Sequence, residues 1–406
     1  QEYPRLLQVG DELLTKNLIM KKTFKYRLYP NKQQKEKINQ TLETCRILYN
    51  EFLAERKEAY EQEQRKITCF EQINSLPSRK ETNPFLGEVF SQILQDIARR
   101  VHKNFLAFFR RLKTQAENGV SAKQKAGYPR FKSKFRYDNF TYPQHGFKLI
   151  NGQQIYFSQM GNINIRKHRE LLGEVKTCSI IVKNNKYYAC FSCEVETRPL
   201  PKTGKKVGID LGLTSFLATS DGKLHQAPKT YKKVEKRLGE IQRIVSKRKK
   251  GSKRRKKAVS KLSVKHEKVA NQRKDIVHKL SRKLVENYDF IAYEKLEIKE
   301  MIEKSPYRSL TKGINDAGWG LFVNILLSKV AETGKVGKPV EPKNTTQMCS
   351  DCHNLAPIKL DLSVREYNCY YCSYQENRDI NAAKNVLWKA TTELGTNSEI
   401  QAHASP

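Results

Sequence analysis

The chain has 406 residues, and Lys plus Arg exceed Asp plus Glu by 35. That length admits two or three domains with real cores. The charge excludes an ordinary solubility surplus and calls for a polyanionic partner, most simply nucleic acid, held with strong salt dependence. No apolar run of about 18 residues occurs, which argues against a membrane-spanning helix. No secretory signal is recognisable, so the expected compartment is the cytoplasm.

Met20-Lys21-Lys22 reads as a natural start, so residues 1–19 are expected to be an extra, poorly ordered segment. Thr23–Leu28 alternates and reads as a strand, stopped by Tyr29-Pro30-Asn31. Lys32 to Gln64 is helical, with Ile38, Leu42, Cys45, Leu48, Tyr49 and Phe52 on one face. A polar loop with Pro77 and Pro84 follows. Leu86 to Ala116 is a second helical block with Ile93, Ile97, Val101 and Phe105 on one side. Arg99, Arg100, Lys103, Arg110, Arg111 and Lys113 crowd the other side, which serves equally as a solvated face or a phosphate track. Gly127–Lys134 (GYPRFKSK) is a basic loop interleaved with aromatics, in which Arg130 and Lys132 are candidate phosphate contacts. Short strands are then expected near 146–150, 154–157, 163–166, 177–182 and 187–196, enough for a small barrel that the first strand completes.

A second fold begins at Lys206. KVGIDLG is an apolar strand ending in Asp210, and Phe216–Ser220 with Asp221-Gly222 makes a hairpin. Tyr231 to Tyr288 is a long basic helical region. Nine of the eleven residues Lys247–Lys257 are Lys or Arg, and the break at Gly251-Ser252 predicts two helices with Ser252 as N-cap. Self-repulsion disfavours so dense a run in isolation, so Lys247, Arg248, Lys253, Arg254 and Arg255, with Arg273 further on, are candidate nucleic-acid contacts. DFIAYEKL reads as a buried parallel strand ending in Glu294. A helix from Trp319 to Val330 comes next, and Ile380–Ala390 is the closing helix.

Between those two helices lie Cys349-x-x-Cys352 and Cys369-x-x-Cys372, separated by sixteen residues. Two such knuckles bring four thiolates to one tetrahedral zinc ion, whose role is structural because no coordination position stays open. Cys190-x-x-Cys193 falls in a strand, where that spacing turns the two sulfurs to opposite faces and argues against a shared metal. His353 lies one residue past a zinc ligand and could compete for the ion, with packing or exposure to solvent the stronger expectation. Asp379 opens the closing helix. Strand, hairpin, long helix, strand, helix is the order of an RNase H-like layer, in which Asp210, Glu294 and Asp379 converge. Three carboxylates of this kind suit two Mg2+ or Mn2+ ions and phosphodiester hydrolysis. Singly each is a weak signal, since Asp before Leu-Gly is often a turn residue and Asp379 alone would serve as an N-cap.

The segments FKYRLYPNKQQKEKINQTLETCRILYNEFL, GYPRFKSK, VGIDLG, the stretch through IAYEKLEI, the paired C-x-x-C and NRDINAAKN together resemble the OrfB/TnpB proteins of insertion sequences, relatives of type V CRISPR nucleases. The resemblance covers about 20–389. It implies a multidomain α/β protein. An oligonucleotide-binding-type β-barrel (wedge, 20–30 and 127–200) would carry an inserted helical recognition domain (31–126). A RuvC nuclease domain (201–340 and 375–390) would carry a zinc ribbon (341–374), followed by a tail (391–406). Asp210, Glu294 and Asp379 match the family's acids, and Cys349, Cys352, Cys369 and Cys372 its ribbon. The implied partners are a guide RNA from the transposon end and target double-stranded DNA cut beside a short motif, in the prokaryotic nucleoid, with a monomer favoured and no membrane. A DNA-strand transferase and a non-catalytic RNA-guided repressor remain as alternatives. His353 and Ser373 stand where the family has a glycine after the second and fourth cysteines.

Overall fold

A computed structural model describes residues 19–117, 126–226, 229–305, 307–361 and 363–402. The chain forms two compact units that divide at Glu196/Thr197. The segment expected to be poorly ordered at the start lies outside the described residues, except for Ile19, which opens the first strand.

In the first unit, β1 (Ile19–Tyr29) leads into α1 (Lys32–Glu63). Pro30 cannot continue the strand, and Asn31 then caps α1: its side chain accepts from Gln34 N–H at 2.8 Å while Gln34 Oε1 accepts from Asn31 N–H at 3.0 Å. Such reciprocal caps are worth about 1 kcal/mol. Where a polar loop was expected there are three short helices, α2 (Cys69–Asn74), α3 (Leu76–Thr82) and α4 (Pro84–Gly87), before α5 (Ser91–Glu117). Capping by Thr68 with Glu71 and by Asn83 nucleates the first and last of these in a stretch without apolar periodicity.

The strands that follow are β2 (Asn139–Tyr142), β3 (Phe147–Ile150), β4 (Gln154–Phe157), β5 (Gly161–Arg166), β6 (Glu174–Lys183) and β7 (Lys186–Glu196). They join β1 in an antiparallel sheet of order β2-β6-β7-β1-β5-β4-β3. Its two edge strands are consecutive in sequence. The link from Tyr142 to Phe147 can span at most about 18 Å, whereas a flat sheet of this order would hold its edges about 29 Å apart. The sheet must therefore curl. Among the described residues no ladder joins its edges, so it is a curled half-barrel rather than the closed barrel expected. The strand and the inserted helices share one apolar core, with Phe24, Tyr26 and Leu28 of β1 meeting Ile38 and Phe52 of α1 and Ile93, Ile97 and Val101 of α5.

The second unit carries a mixed five-stranded sheet of order β10-β9-β8-β11-β12. Its strands are β8 (Lys206–Asp210), β9 (Ser215–Thr219), β10 (Leu224–Gln226), β11 (Phe290–Glu294) and β12 (Val336–Val340). Strands β8, β11 and β12 are parallel, and β8-β9-β10 is an antiparallel meander. The helices α6 (Glu235–Lys247) and α7 (Lys253–Asn287) break at Gly251-Ser252, with Ser252 Oγ accepting from Arg255 N–H at 3.1 Å. Next come α8 (Ile298–Glu303), α9 (Arg308–Ala317) and α10 (Trp319–Thr333). A two-stranded ribbon of β13 (Glu366–Asn368) and β14 (Gln375–Asn377) precedes α11 (Arg378–Ala402), which continues past the end expected at Ala390. Among the described residues no helix is long and apolar enough to cross a membrane.

Alternation along the strands sorts the core. Val207, Ile209, Ile291 and Tyr293 pack with Val277 and Leu284 of α7 and Phe322 and Leu326 of α10. Phe290 and Ala292 pack with Val386 and Ala390 of α11. Gly208, on that second face, brings β8 against α11 so closely that a Cβ would lie 2.1 Å from Ala383 O and 2.6 Å from Leu387 N. These are backbone atoms and cannot swing aside. Gly208→Ala is therefore expected to destabilise the second unit by about 3 kcal/mol or more, read as a lowered midpoint in denaturant, and an unchanged midpoint would contradict this packing.

Candidate active site and metal centre

Asp210 and Glu294 are the last residues of neighbouring parallel strands, whose final paired residues are Ile209 and Tyr293. The register places the two acids side by side at the carboxyl edge of the sheet, the edge at which open α/β sheets bind ligands. Each is only 7% exposed. The third acid arrives on α11. That helix is capped by Asn377, whose Oδ1 accepts from the N–H groups of Asp379 and Ile380 at 3.0 and 3.3 Å. Asp379 is thus in the first turn and is not the cap. Its Oδ2 lies 3.8 Å from where a Cβ on Gly212 would stand, so the turn after Asp210 runs beside it.

Burial first, and then the charges of Glu294 and Asp379, push the Asp210 carboxyl well above the usual carboxylate range; the Leu211 N–H and Arg378 pull it back only in part. Glu294 is raised too, by burial, against the Thr345 hydroxyl and Lys389. Among the described residues, only the four cysteines have ligand atoms all within 4.8 Å of one another. Glu294 and Asp379 are near enough for Asp210 to feel the charge of both, but the three are more open than the cysteine cluster. The donor set of hard oxygens fits divalent magnesium or manganese.

These shifts have a sign. A carboxyl whose folded-state pKa is raised holds its proton in the fold after the unfolded chain has released it. Its contribution to stability is complete below about pH 4 and is lost as pH rises through the folded-state value. The melting temperature of the metal-free wild type, taken relative to Asp210→Asn, is therefore expected to fall as pH rises above about 4, and millimolar magnesium to reverse the fall. A difference that stays flat with pH would contradict the placement of these acids.

The cysteines form the second centre. Cys349 and Cys372 sulfurs are 3.8 Å apart and those of Cys352 and Cys369 are 3.6 Å apart. Tetrahedral zinc–thiolate bonds of about 2.3 Å require sulfurs about 3.8 Å apart, so the four residues fit the ion. Cys190 and Cys193 lie on β7 and belong to no such group. His353 turns away from the cluster and stacks on Trp388 of α11, with ring centroids 4.1 Å apart. Its φ of 57° keeps the left-handed turn that a glycine would otherwise supply.

Several residues that sequence reasoning missed join the two centres. Thr345 Oγ1 donates to Glu294 Oε1 at 2.5 Å. Asn381, one turn into α11, donates to Met348 O at 2.8 Å and accepts from Ser350 N–H at 2.9 Å. Asn385, one further turn on, donates to Thr345 O at 2.9 Å and Met348 O at 2.7 Å. The spacing of four in NRDINAAKN was the available signal, since it puts both amides on one face of a helix.

The predicted nucleic-acid contacts are scattered. Lys247, Arg248, Lys253 and Arg254 are exposed at the elbow between α6 and α7, and Arg255 is half-buried there. Arg130 is exposed, and Lys132 is half-buried with its ammonium 5.7 Å from the Tyr49 ring centre. Arg273 instead pairs with Asp316 at 2.7 Å, which ties α7 to α9.

Comparison with known proteins converges on one group. Three family models match: OrfB_IS605, described as "Probable transposase", over 190–305; its "Helix-turn-helix domain" over 20–65; and "Cas12f1-like, TNB domain" over 319–386. Over 20–65 the chain is strand β1 and one unbroken helix through Glu63, not a helix-turn-helix. The chain is 30% identical over 375 residues to a Streptomyces pristinaespiralis protein named "Putative RNA-guided DNA endonuclease", covering 91% of this chain and 89% of that one. It is 27% identical over 394 residues to "Putative RNA-guided DNA endonuclease InsQ" of Escherichia coli (strain K12), covering 93% and 94%. Among solved structures its fold is similar to the Cas12f1 chain of a Cas12f1–sgRNA–target DNA complex, with a TM-score of 0.58 at 15% identity, covering 91% of this chain and 98% of that one.

Proposed function

Because this chain belongs to the OrfB_IS605 (TnpB) family, we propose that it is an RNA-guided DNA endonuclease that hydrolyses phosphodiester bonds at Asp210, Glu294 and Asp379. The observation that carries this reading is the pair of buried acids at adjacent strand ends, with a third acid on α11 near enough to raise the pKa of the first. Arg378 and Lys389 offset the burial of these acids only in part; divalent cations would complete the compensation.

In this reading the second unit is an RNase H-like nuclease domain with an inserted zinc ribbon, and the first unit is a wedge with a helical recognition insertion. Asp210, whose charge is opposed by both other acids, would hold the divalent cations together with Glu294 and Asp379. Bound magnesium or manganese would supply Lewis-acid activation of water and of the leaving oxygen. The chain's own part is to fix three carboxylates at one edge: strand register places two, the Asn377 cap and Gly208 packing place the third, and the Thr345 hydroxyl fixes one oxygen of Glu294. The ribbon cysteines would hold zinc and keep Thr345 in place. Exposed cations at the α6–α7 elbow would neutralise backbone phosphates, so that base pairing with a guide RNA, and not the protein, selects sequence.

The test is direct. The protein is purified with its co-purifying RNA, the RNA is sequenced, and double-stranded DNA matching its variable end is supplied with magnesium. The expected products are broken ends. Joined ends would turn the reading to strand transfer, and tight binding without products would turn it to a guided repressor.

A further inference from the structure

The loop 126–134 is clamped from two sides. At its start, Arg111 of α5 donates to Gly127 O at 3.0 Å, and Gln115 Oε1 accepts from Ala126 N–H at 2.8 Å. Tyr128 packs edge-on against Phe105 and Phe108, at 5.4 and 5.3 Å between ring centres. At its far end, Asn50 of α1 holds Lys132 by both backbone groups, accepting from its N–H at 2.7 Å and donating to its carbonyl at 3.0 Å. Arg46 donates to the same carbonyl at 3.2 Å. Between these anchors stand Pro129, Arg130 and Phe131.

The loop carries two aromatics, and their surroundings differ. Tyr128 is engaged with α5. Phe131 is 55% exposed, and among the described residues no ring or cation lies over it. A solitary exposed phenylalanine is unremarkable on a surface. Here, however, it is held up by a rigid loop and flanked by Arg130 and, two residues past the clamp, by Lys134, both exposed. An apolar ring with cations on either side complements a nucleotide, whose base is an apolar face and whose phosphates are anions.

We propose that Phe131 is a stacking platform for an unpaired base of a single-stranded segment, with Arg130 and Lys134 on the adjoining phosphates. This rests on the nucleic-acid reading above and narrows it: a base inside a duplex is already stacked on both faces and offers none to a protein ring.

The test uses the full chain freed of RNA and three probes: a 15-nucleotide oligo(dT), the same strand with one 2-aminopurine, and a 15-base-pair duplex. Phe131→Ala is expected to weaken single-strand binding about tenfold and to lose the 2-aminopurine quench. Duplex binding and the dependence on salt should not change. Phe131→Trp should restore both affinity and quench. Because Phe131 is exposed, neither variant should alter the melting temperature. Equal single-strand affinity in the alanine variant overturns the proposal while leaving the nuclease reading intact. So does an equal loss on duplex, which would make the loop a phosphate contact only, or a dimer that Phe131→Ala dissolves, which would make the ring an interface between copies. Failure of the wild type to bind either strand form would defeat the nucleic-acid reading itself.

Discussion

Asp210→Asn is expected to reduce DNA cleavage by about a thousandfold or more while raising the melting temperature of the metal-free protein by a few degrees. The two effects share one cause. Asp210 is buried, and its neighbours Glu294 and Asp379 add repulsion to the desolvation of its charge. The amide keeps the shape and removes the charge, so the metal-free fold relaxes. The same change removes a carboxylate from the proposed metal site, and several kcal/mol of transition-state stabilisation go with it. Binding of RNA and DNA should persist, because the cations at the α6–α7 elbow and in the loop 126–134 are untouched. Cleavage rate and melting temperature measured on one preparation check the pair. A variant that cuts like wild type, or that is destabilised, would contradict the account.

Cys349→Ala is expected to abolish zinc binding, unfold the ribbon and stop cleavage, although it touches none of the three acids. Cys349 is fully buried and opens the first knuckle. Structural zinc sites of this kind contribute about 10–16 kcal/mol of apparent binding energy at neutral pH, far more than a ribbon of three-residue strands can replace. The loss should spread. Met348 O, Ser350 N–H and Thr345 O are the groups that Asn381 and Asn385 of α11 hold, and the Thr345 side chain holds Glu294. Unfolding of the ribbon strips these partners from the helix that carries Asp379. One zinc per chain by elemental analysis, lost in the variant together with protection of residues 345–375 from protease, is the expected result. Mild chelation of the wild type should lower the melting temperature before it lowers magnesium-dependent cleavage. A zinc-free variant that melts and cuts like wild type would contradict the link.

Much of this was legible in the sequence where information is local. VGIDLG and FIAYE are apolar runs that end in an acid, and a buried parallel strand needs nothing more to place that acid at its carboxyl edge. The paired C-x-x-C spacing is likewise a local rule, and the sulfur distances fit it. The α6–α7 break was legible because Gly251-Ser252 combines a breaker with a cap. What escaped was long-range or took its reason from elsewhere in the chain. Thr345 is 51 residues from Glu294 in sequence, and no propensity marks a threonine as a partner for a carboxylate. The departure of His353 from glycine made sense only with Trp388 beside it. The strands were foreseen, but whether their sheet closes depends on pairing at its edges, which alternation does not encode. Arg273 looked like one more cation in a basic helix until Asp316, 43 residues on, supplied its partner.

The central claim is that three carboxylates far apart in sequence share one set of divalent ions. Manganese titration followed by electron paramagnetic resonance, on the zinc-loaded wild type and on Asp210→Asn, Glu294→Gln and Asp379→Asn, tests it most directly. The expected result is two coupled manganese ions per wild-type chain in the presence of DNA, with the number or the coupling reduced in each of the three variants. Three variants that bind manganese with the number and coupling of the wild type would contradict it.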